Sequence, residues 1–255
     1  MPGGPSLYSA RTAAALGAEV TLVTTLAPGY DRAVLDGLRL VAQAAACPPR
    51  YENRYDAAGA RTQFLLCEGE PVSFDATAVG PADALIVAPA YHEFAAPPVC
   101  EARVHAVALQ GLLRMRESDN RVWPHKQPWL QVAPFARAGG FAFLSDEDTP
   151  APEALAERLA EAGMTAFVTR GARGATRFDR DGATDLPAFA AEPVEPTGAG
   201  DCFATAFTVR FAETGDIDEA SRFALAAGAL AVEAHGLAAI PSRAAIEARL
   251  RKVAA

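Results

Sequence analysis

The sequence predicts a three-layer α/β/α sandwich in which a mostly parallel central sheet carries a small β excursion. Helical and strand patterns alternate along most of the 255 residues, which is typical of a parallel sheet with crossover helices. The central strands are predicted from short, continuous apolar runs, as expected for strands buried on both faces. Residues 48–72 interrupt the alternation with a polar, irregular stretch that predicts the excursion.

The N-terminal part of the chain predicts a helix, a strand and a second helix. The Ala-rich segment 6–16 is compatible with a helix, and Gly17 stands where a helix C-terminus favours glycine. Residues 19–25 contain a β-branched run that predicts a strand. A further helix is predicted over 35–46, with Asp31 as a cap upstream.

Residues 48–72 are predicted to leave the central sheet. The run 61–66 predicts a strand, and the segment 56–59 before it has the composition of a turn. The chain contains no repeats, low-complexity tracts or long Pro/Ser linkers. We therefore expect residues 1–255 to form a single domain that carries this excursion.

The remainder of the chain resumes the alternation. Four apolar runs predict buried strands: 84–88, 104–109, 141–144 and 165–169. Helical patterns predict four helices: 152–162, 199–214, 217–234 and 242–253. Residues 174–178, followed by Asp181-Gly182 and a further strand, predict a hairpin. The polar stretch 116–128 predicts a long loop.

Composition and charge exclude several classes of protein. A formal net charge of −8 argues against nucleic-acid binding, which depends on basic patches. No window has the roughly 18 consecutive apolar residues that a membrane-spanning helix needs, and the first residues do not resemble a signal peptide. The cysteines are widely spaced and lack a C-x-x-C pair, so we expect ordinary buried or surface roles for Cys47, Cys67, Cys100 and Cys202. We expect a cytoplasmic protein with no nucleic-acid or membrane partner.

The segment 195–207 carries the strongest functional pattern. Gly198 and Gly200 precede a long helix, and glycines there let backbone amides approach an anion at the helix N-terminus. Asp201 in such a site makes chemical sense if it faces an attacking hydroxyl while the amides face a phosphoryl group. The alternative is that Asp201 only caps the helix. The segment is neither a Walker A loop nor a dinucleotide-binding fingerprint.

The segment Thr197-Gly198-Ala199-Gly200-Asp201, with Phe203 two residues on, closely resembles the C-terminal signature of the ribokinase-like (PfkB) kinase family. The resemblance extends along the chain in the family's order. Gly3-Gly4 and the helix and strand that follow resemble the N-terminal signature, and residues 169–174 resemble the loop that binds nucleotide phosphates. The apolar helix at 223–234, with Gly236 and Pro241, resembles the C-terminal element.

The resemblance implies a role for each motif. Asp201 would deprotonate the acceptor hydroxyl, and the amides of Gly198, Ala199, Gly200 and Asp201 would hold the transferring γ-phosphoryl. Lining of the ATP phosphates is implied for three residues of the loop: Thr169, Gly171 and Gly174. Gly4 and its neighbours would contact the acceptor, and residues 48–72 would be the lid that closes over it. Phosphoryl transfer depends on positioning and charge neutralisation, so Mg²⁺ is expected with ATP.

The beginning of the sequence departs from the family pattern. The family has a strand with an acceptor-binding Asp upstream of the Gly-Gly pair, and an Asn where this sequence has Tyr8. We therefore expect one side of the strand at 19–25 to lack its usual neighbour. Either a longer form of the protein supplies that strand or a partner subunit, such as the second copy in a homodimer, covers the edge.

Two further departures concern ions. The family's Asn-x-x-Glu motif, which organises Mg²⁺ and phosphate, falls at Ser145 and Asp148. Their oxygens remain suitable for a metal and its waters, although either residue alternatively caps the following helix. The Asp-Thr pair that precedes the C-terminal signature is Glu195-Pro196 here, so activation by potassium is not expected.

Three arginines lie where they could meet an anion. Arg114 belongs to a Gln-Gly-x-x-Arg segment that follows a predicted strand and resembles one found in some less-studied family members; it is either an acceptor or phosphate ligand or a surface residue. Arg170 and Arg173 flank the phosphate loop and could pair with phosphate or be solvated.

The resulting functional prediction is an ATP-dependent kinase for a hydroxyl group of a sugar, polyol or nucleoside. Its rival is a catalytically impaired relative that binds a nucleotide or small ligand, which the departures at Tyr8 and Ser145 motivate. Asp201 favours the kinase, since a pure binder gains nothing from a carboxylate beside phosphate.

Overall fold

A computed structural model describes residues 3–55 and 61–253. The predicted turn at 56–59 lies outside the described residues. The strands are β1 (Thr21–Leu26), β2 (Arg39–Ala44), β3 (Arg50–Tyr55), β4 (Arg61–Cys67), β5 (Ala82–Val87), β6 (Ala102–Ala108), β7 (Arg114–Arg116), β8 (Val122–Pro124), β9 (Phe141–Ser145), β10 (Thr165–Thr169), β11 (Ala175–Asp179) and β12 (Gly182–Leu186). The helices are α1 (Pro5–Ala15), α2 (Ala76–Val79), α3 (Pro128–Val132), α4 (Pro152–Glu161), α5 (Ala199–Thr214), α6 (Ile217–Ala231) and α7 (Arg243–Val253).

The central sheet has six strands in the order β12-β11-β10-β9-β6-β5. Strands β5, β6, β9 and β10 run parallel, whereas β11 and β12 form the predicted antiparallel hairpin beside β10. Helices cover both faces, so the predicted three-layer α/β/α fold with a mostly parallel sheet is confirmed. The carboxyl ends of β6, β9 and β10 meet at one edge, where the register places Thr169 opposite Ser145.

The central strands are buried on both faces, as their continuous apolar runs predict. On one face, Phe143 and Phe167 pack against Phe207 of α5, with ring centroids 5.5 and 4.7 Å apart from it. On the other face, Leu144 and Val168 belong to a buried cluster with Leu155 of α4. Adjacent residues of one strand thus point to opposite layers, which fixes α4 and α5 on opposite sides of the sheet.

The predicted helix at 35–46 is wrong. The structure has a short 3₁₀ turn at Arg32–Leu35, which Asp31 caps through a 3.0 Å bond from the amide of Ala33, and then strand β2. Gly37 lies between them with φ 80°, a left-handed conformation that a continuous helix excludes. β2 pairs with β1 in parallel, so tertiary pairing overrides the local helical pattern.

Two smaller expectations also need correction. The stretch 116–128 is not simply a loop, since β8 within it pairs with β7 as a hairpin. Cys47 and Cys67, expected in ordinary roles, are joined by a disulfide with Cα atoms 6.4 Å apart. Cys100 and Cys202 are free, as predicted.

The excursion is a separate two-stranded antiparallel sheet of β3 and β4. β1 and β2 also form a separate pair, so within residues 3–55 and 61–253 the strand β1 has a neighbour on one side only. β5 is likewise an edge of the six-stranded sheet. Every helix of the described segments is too short or too polar to cross a membrane.

Candidate active site

Helix α5 begins with an uncapped N-terminus. Gly198 is its N-cap residue in the left-handed conformation (φ 83°), and no side chain caps the helix. The amide of Ala199 donates to the carbonyl of Pro196 (3.2 Å), while the amides of Gly200 and Asp201 have no protein acceptor among the described residues. The left-handed Gly198 and the first turn of α5 therefore present free amides and the positive end of the helix dipole.

Asp201 lies in the first turn of α5 but does not cap the helix. Burial raises the pKa of its carboxyl group to about 7; the nearby Arg114 opposes this rise and Asp148 adds to it. A carboxylate with this pKa is partly protonated at neutral pH. Its affinity for a proton therefore suits a general base far better than that of an exposed aspartate.

Gly4 and Tyr8 bring the start of α1 to the same place. Gly4 is the N-cap of α1 with φ 100°, and its carbonyl accepts a 3.1 Å bond from the amide of Tyr8. The Tyr8 ring is 3% exposed and lies so close to Gly198 that a side chain there would overlap it. Burial, and then the charges of Glu195, Cys202 and Asp201, raise the pKa of Tyr8. Tyr8 thus packs against the turn that opens α5.

Asp148 is held at the end of β9, close to Asp201. Its two oxygens accept bonds from the amide of Ser145 (2.7 Å) and from Nε2 of Gln110 (3.2 Å). The N-cap residue of α4 is Ala151, without a side-chain cap, so neither Ser145 nor Asp148 caps that helix. Burial raises the pKa of Asp148, against the effect of these hydrogen bonds.

The donor set at the predicted metal site is small. No group of three or more Asp, Glu, His or Cys side chains suited to a metal is found in the part of the chain that the structure describes. Within the described residues each oxygen of Asp148 accepts one hydrogen bond, so lone pairs remain. This suits Mg²⁺, which protein sites commonly hold through one or two carboxylates together with waters and substrate phosphates.

The predicted phosphate loop follows β10, at the same edge of the sheet. The hydroxyl of Thr169 donates to the carbonyl of Leu144 (3.3 Å). Gly171 has φ 53° and open space where a side chain would stand, whereas a side chain on Gly174 would run into the carbonyl of Leu186. Gly171 is therefore free for a ligand to approach, and Gly174 is required by its packing against β12.

The two arginines of the loop already have protein partners. Arg170 binds Glu153 (2.6 Å) and the hydroxyl of Thr176 (2.6 Å), and Arg173 pairs with Asp146. A cavity of about 340 Å³ adjoins both arginines. Asp201 and Asp148 do not line this cavity, so it is distinct from the group around the N-terminus of α5.

Arg114 lies within electrostatic range of both Asp201 and Asp148. Its guanidinium stacks over the ring of Tyr51 in the β3–β4 hairpin, with Cζ 4.7 Å from the centroid. Nη1 of Arg114 lies 3.4 Å from the carbonyl of Ala90, which also accepts a 2.7 Å bond from the Tyr51 hydroxyl. Arg114 thus contacts the hairpin and lies near the acidic group, and its side chain is half-buried, not fully exposed as expected of a surface arginine.

Sequence reasoning missed Tyr51 and Glu93. Glu93 follows β5, and burial raises its pKa, while Arg114 acts in the opposite direction. Its position beyond the carboxyl end of a parallel strand is a signal that could have identified it. Tyr51 carries no such signal, because its role depends on how the hairpin folds back over the sheet.

Glu195 has a structural role. Hydrogen bonds from Thr197, the amide of Gly236 and His235 lower the pKa of Glu195. Its carboxylate lies 3.1 Å from the Gly236 amide and 3.2 Å from Nδ1 of His235. Glu195 therefore ties the turn before α5 to the segment after α6.

Comparisons with known proteins agree with the family that the sequence resembles. Residues 138–244 match the family described as pfkB family carbohydrate kinase. Ribokinase of Bacillus subtilis is 40% identical over 82 residues, and deoxyribokinase of Salmonella typhi is 33% identical over 84; each match covers 32% of this chain and 28% of the relative. The matched region thus spans little more than a quarter of the length of each of these relatives.

Solved structures show the same fold at lower identity. A ribokinase from Thermotoga maritima has a TM-score of 0.74 at 18% identity, with 98% of this chain and 88% of that chain covered. A pyrophosphate-dependent kinase of the ribokinase family, solved with sulfate, has a TM-score of 0.74 at 19% identity, with 92% and 89% covered. The ribokinase fold predicted from the sequence is confirmed, and the match of residues 138–244 agrees with the predicted family.

Proposed function

Because residues 138–244 belong to the ribokinase-like PfkB family, we propose that this protein is an ATP-dependent phosphotransferase that phosphorylates a hydroxyl group of a sugar, polyol or nucleoside. The observation that carries the proposal is the combination of Asp201, whose pKa burial raises to about 7, with the free amides at the N-terminus of α5. A proton acceptor and an anion site thereby lie within one helical turn.

The proposed reaction follows from this placement. Asp201 accepts the proton of the acceptor hydroxyl as the oxygen attacks the γ-phosphorus of ATP. The bond from that phosphorus to the β–γ bridging oxygen breaks, and ADP leaves. The amides of Gly200 and Asp201 stabilise the negative charge on the transferring phosphoryl group, because they are fixed before the reaction begins. Asp201 then releases its proton to solvent.

The remaining residues serve the two substrates. Thr169 and Gly171 lie at the proposed ATP-phosphate side, where the open space beside Gly171 admits a close approach. Gly4, Tyr8 and Arg114 lie at the proposed acceptor side. The β3–β4 hairpin is the proposed lid, which excludes water as a competing acceptor. Asp148 would hold Mg²⁺ together with the ATP phosphates, and the ion would neutralise part of their charge.

The test is product formation. The full chain is incubated with ATP, Mg²⁺ and pools of sugars, polyols and nucleosides, and ³¹P NMR follows ADP and a new phosphomonoester. Asp201→Asn is the matched control, since it preserves shape and removes the base. We expect ADP and phosphomonoester in equal amounts with the wild-type protein only. A protein that binds ATP but forms no phosphomonoester from any pool supports the ligand-binding alternative instead.

A further inference from the structure

Arg114 is a half-buried cation whose hydrogen-bonding capacity is largely unused. It opens β7 and stacks on Tyr51 at 4.7 Å. One guanidinium nitrogen makes a long 3.4 Å contact with the carbonyl of Ala90, and the guanidinium also forms a hydrogen bond with the side chain of Tyr51. A guanidinium has five N–H donors, so most of them are left without an acceptor among the described residues.

The acidic side chains around Arg114 do not supply those acceptors. Glu93 accepts a 2.8 Å bond from the amide of Tyr91, and Asp148 accepts bonds from Ser145 and Gln110. Within the described part of the chain, neither these carboxylates nor Asp201 forms an ion pair with Arg114. Each of them acts on the arginine only through longer-range electrostatics.

Arg116 shows what a neighbouring arginine does when the protein itself is its partner. It lies two residues along the same strand, and its guanidinium binds Glu68 at 3.0 Å and the side chain of Asn120. Arg114 has a comparable, half-buried position but no carboxylate partner within residues 3–55 and 61–253. A partly desolvated cation without a partner is unfavourable, and a planar fork of free donors matches a carboxylate or phosphate group.

Resting on the proposed function, we infer that the acceptor itself carries an anionic group, a carboxylate or a phosphate, which Arg114 binds while the acceptor's hydroxyl faces Asp201. The transferring phosphoryl group is the less suitable occupant, because the free amides of α5 already provide for it. Arg114 is instead fixed by Tyr51 of the hairpin, on the side where we place the acceptor. A sugar acid or sugar phosphate fits this arrangement better than a neutral sugar.

Matched pairs of compounds test the charge requirement. D-gluconate and D-glucitol differ at one end by a carboxylate against a hydroxymethyl group, and D-ribose 5-phosphate and D-ribose differ by the phosphate. Calorimetry measures their affinities in the presence of a non-hydrolysable ATP analogue and Mg²⁺. We expect the wild-type protein to prefer the anionic member of at least one pair by about 10- to 100-fold, the contribution of charged hydrogen bonds.

Variants assign that preference to the arginine. Arg114→Met should abolish it, Arg114→Lys should retain part of it, and Arg116→Met, the matched control, should leave it unchanged. Circular dichroism checks that each variant is folded. Wild-type protein that shows no anionic preference, or that binds none of the four compounds, overturns the inference. So does an Arg114→Met variant that keeps the preference.

Two readouts separate this inference from the proposed function. Binding is measured without turnover, so an anionic preference without phosphoryl transfer leaves the inference standing and removes the kinase. If transfer occurs, Arg114→Met should lower kcat/KM for the anionic acceptor more than for its neutral partner, mainly by raising KM for the anion. An equal loss of kcat/KM for the anionic and the neutral member of each pair would show that Arg114 does not bind the acceptor's charge and would overturn the inference.

Discussion

Replacing Asp201 by Asn should stabilise the protein at alkaline pH while slowing the proposed phosphoryl transfer. Burial raises the pKa of Asp201 from 3.8 to about 7, so the folded state retains the proton over a range in which the unfolded chain has lost it. The sign follows from linkage: the folded state binds more protons between about pH 4 and 7, so this residue's contribution to stability falls as pH rises through that window. Above pH 7 the loss is complete.

The magnitude follows from the size of the shift. A difference of about three pKa units corresponds to about 4 kcal/mol at 1.36 kcal/mol per unit. Asn has the same shape and needs no ionisation, so Asp201→Asn should raise the free energy of unfolding at pH 8 by up to about 4 kcal/mol. At pH 4, where the folded wild-type residue is protonated, the two proteins should differ by about 1 kcal/mol or less.

Denaturant unfolding at pH 4, 6 and 8 measures the stability difference, and steady-state kinetics over the same range measures activity. Wild-type kcat/KM should fall about tenfold per pH unit below pH 7, because the base must be ionised in the free enzyme. Asp201→Asn should be about 10²- to 10⁴-fold slower, with ATP affinity intact. A variant that is less stable at pH 8, or whose stability difference is independent of pH, would refute the reasoning, and undiminished turnover would remove Asp201 as the base.

Three further predictions concern the glycines and Glu195. Gly171→Val and Gly200→Val should each weaken ATP binding about 10- to 100-fold in calorimetry, since both face open space; unchanged affinity in both would place the nucleotide elsewhere. Gly198→Ala should lower the free energy of unfolding by about 1–3 kcal/mol, because its φ is 83° and the new methyl group would overlap Tyr8; a wild-type melting temperature would contradict this packing. Glu195→Gln should cost about 1 kcal/mol in denaturant unfolding and leave ATP affinity unchanged, whereas a selective loss of ATP affinity would argue against a structural role.

The central sheet could be predicted because each of its buried strands is a continuous apolar run in the sequence. Residues 141–144 and 165–169 are continuous apolar runs, and both became strands buried between α4 and α5. In the segment 35–46 the local composition and the tertiary structure conflict. Its Ala and Leu residues favour a helix, whereas pairing with β1 favours a strand. Gly37, with φ 80°, excludes a continuous helix here. The sequence alone does not show that Gly37 adopts this left-handed conformation.

The candidate site could be predicted where a residue's neighbours in sequence define it. The position of Asp201 in the first turn of α5 follows from the glycines and the helix around it. The stack of Arg114 on Tyr51 and the proximity of Glu93 could not be predicted, because these residues lie on three separated segments that only the folded hairpin brings together. Local patterns thus predicted where Asp201 lies, and tertiary structure was needed for the surroundings that set its pKa.

An anionic substrate would make the acids of this site harder to ionise. Burial raises the pKa of Asp201, Asp148 and Glu93, and an anion bound near them would raise these values further. A base with a pKa above 7 would be mostly protonated at neutral pH and unable to accept the hydroxyl proton. Arg114 acts against the rise for all three acids, and Mg²⁺ bound with the phosphates would act in the same direction. Arg114 therefore favours the ionised form of Asp201 as well as the proposed binding of an anion, so the two proposals make compatible demands on the same side chain.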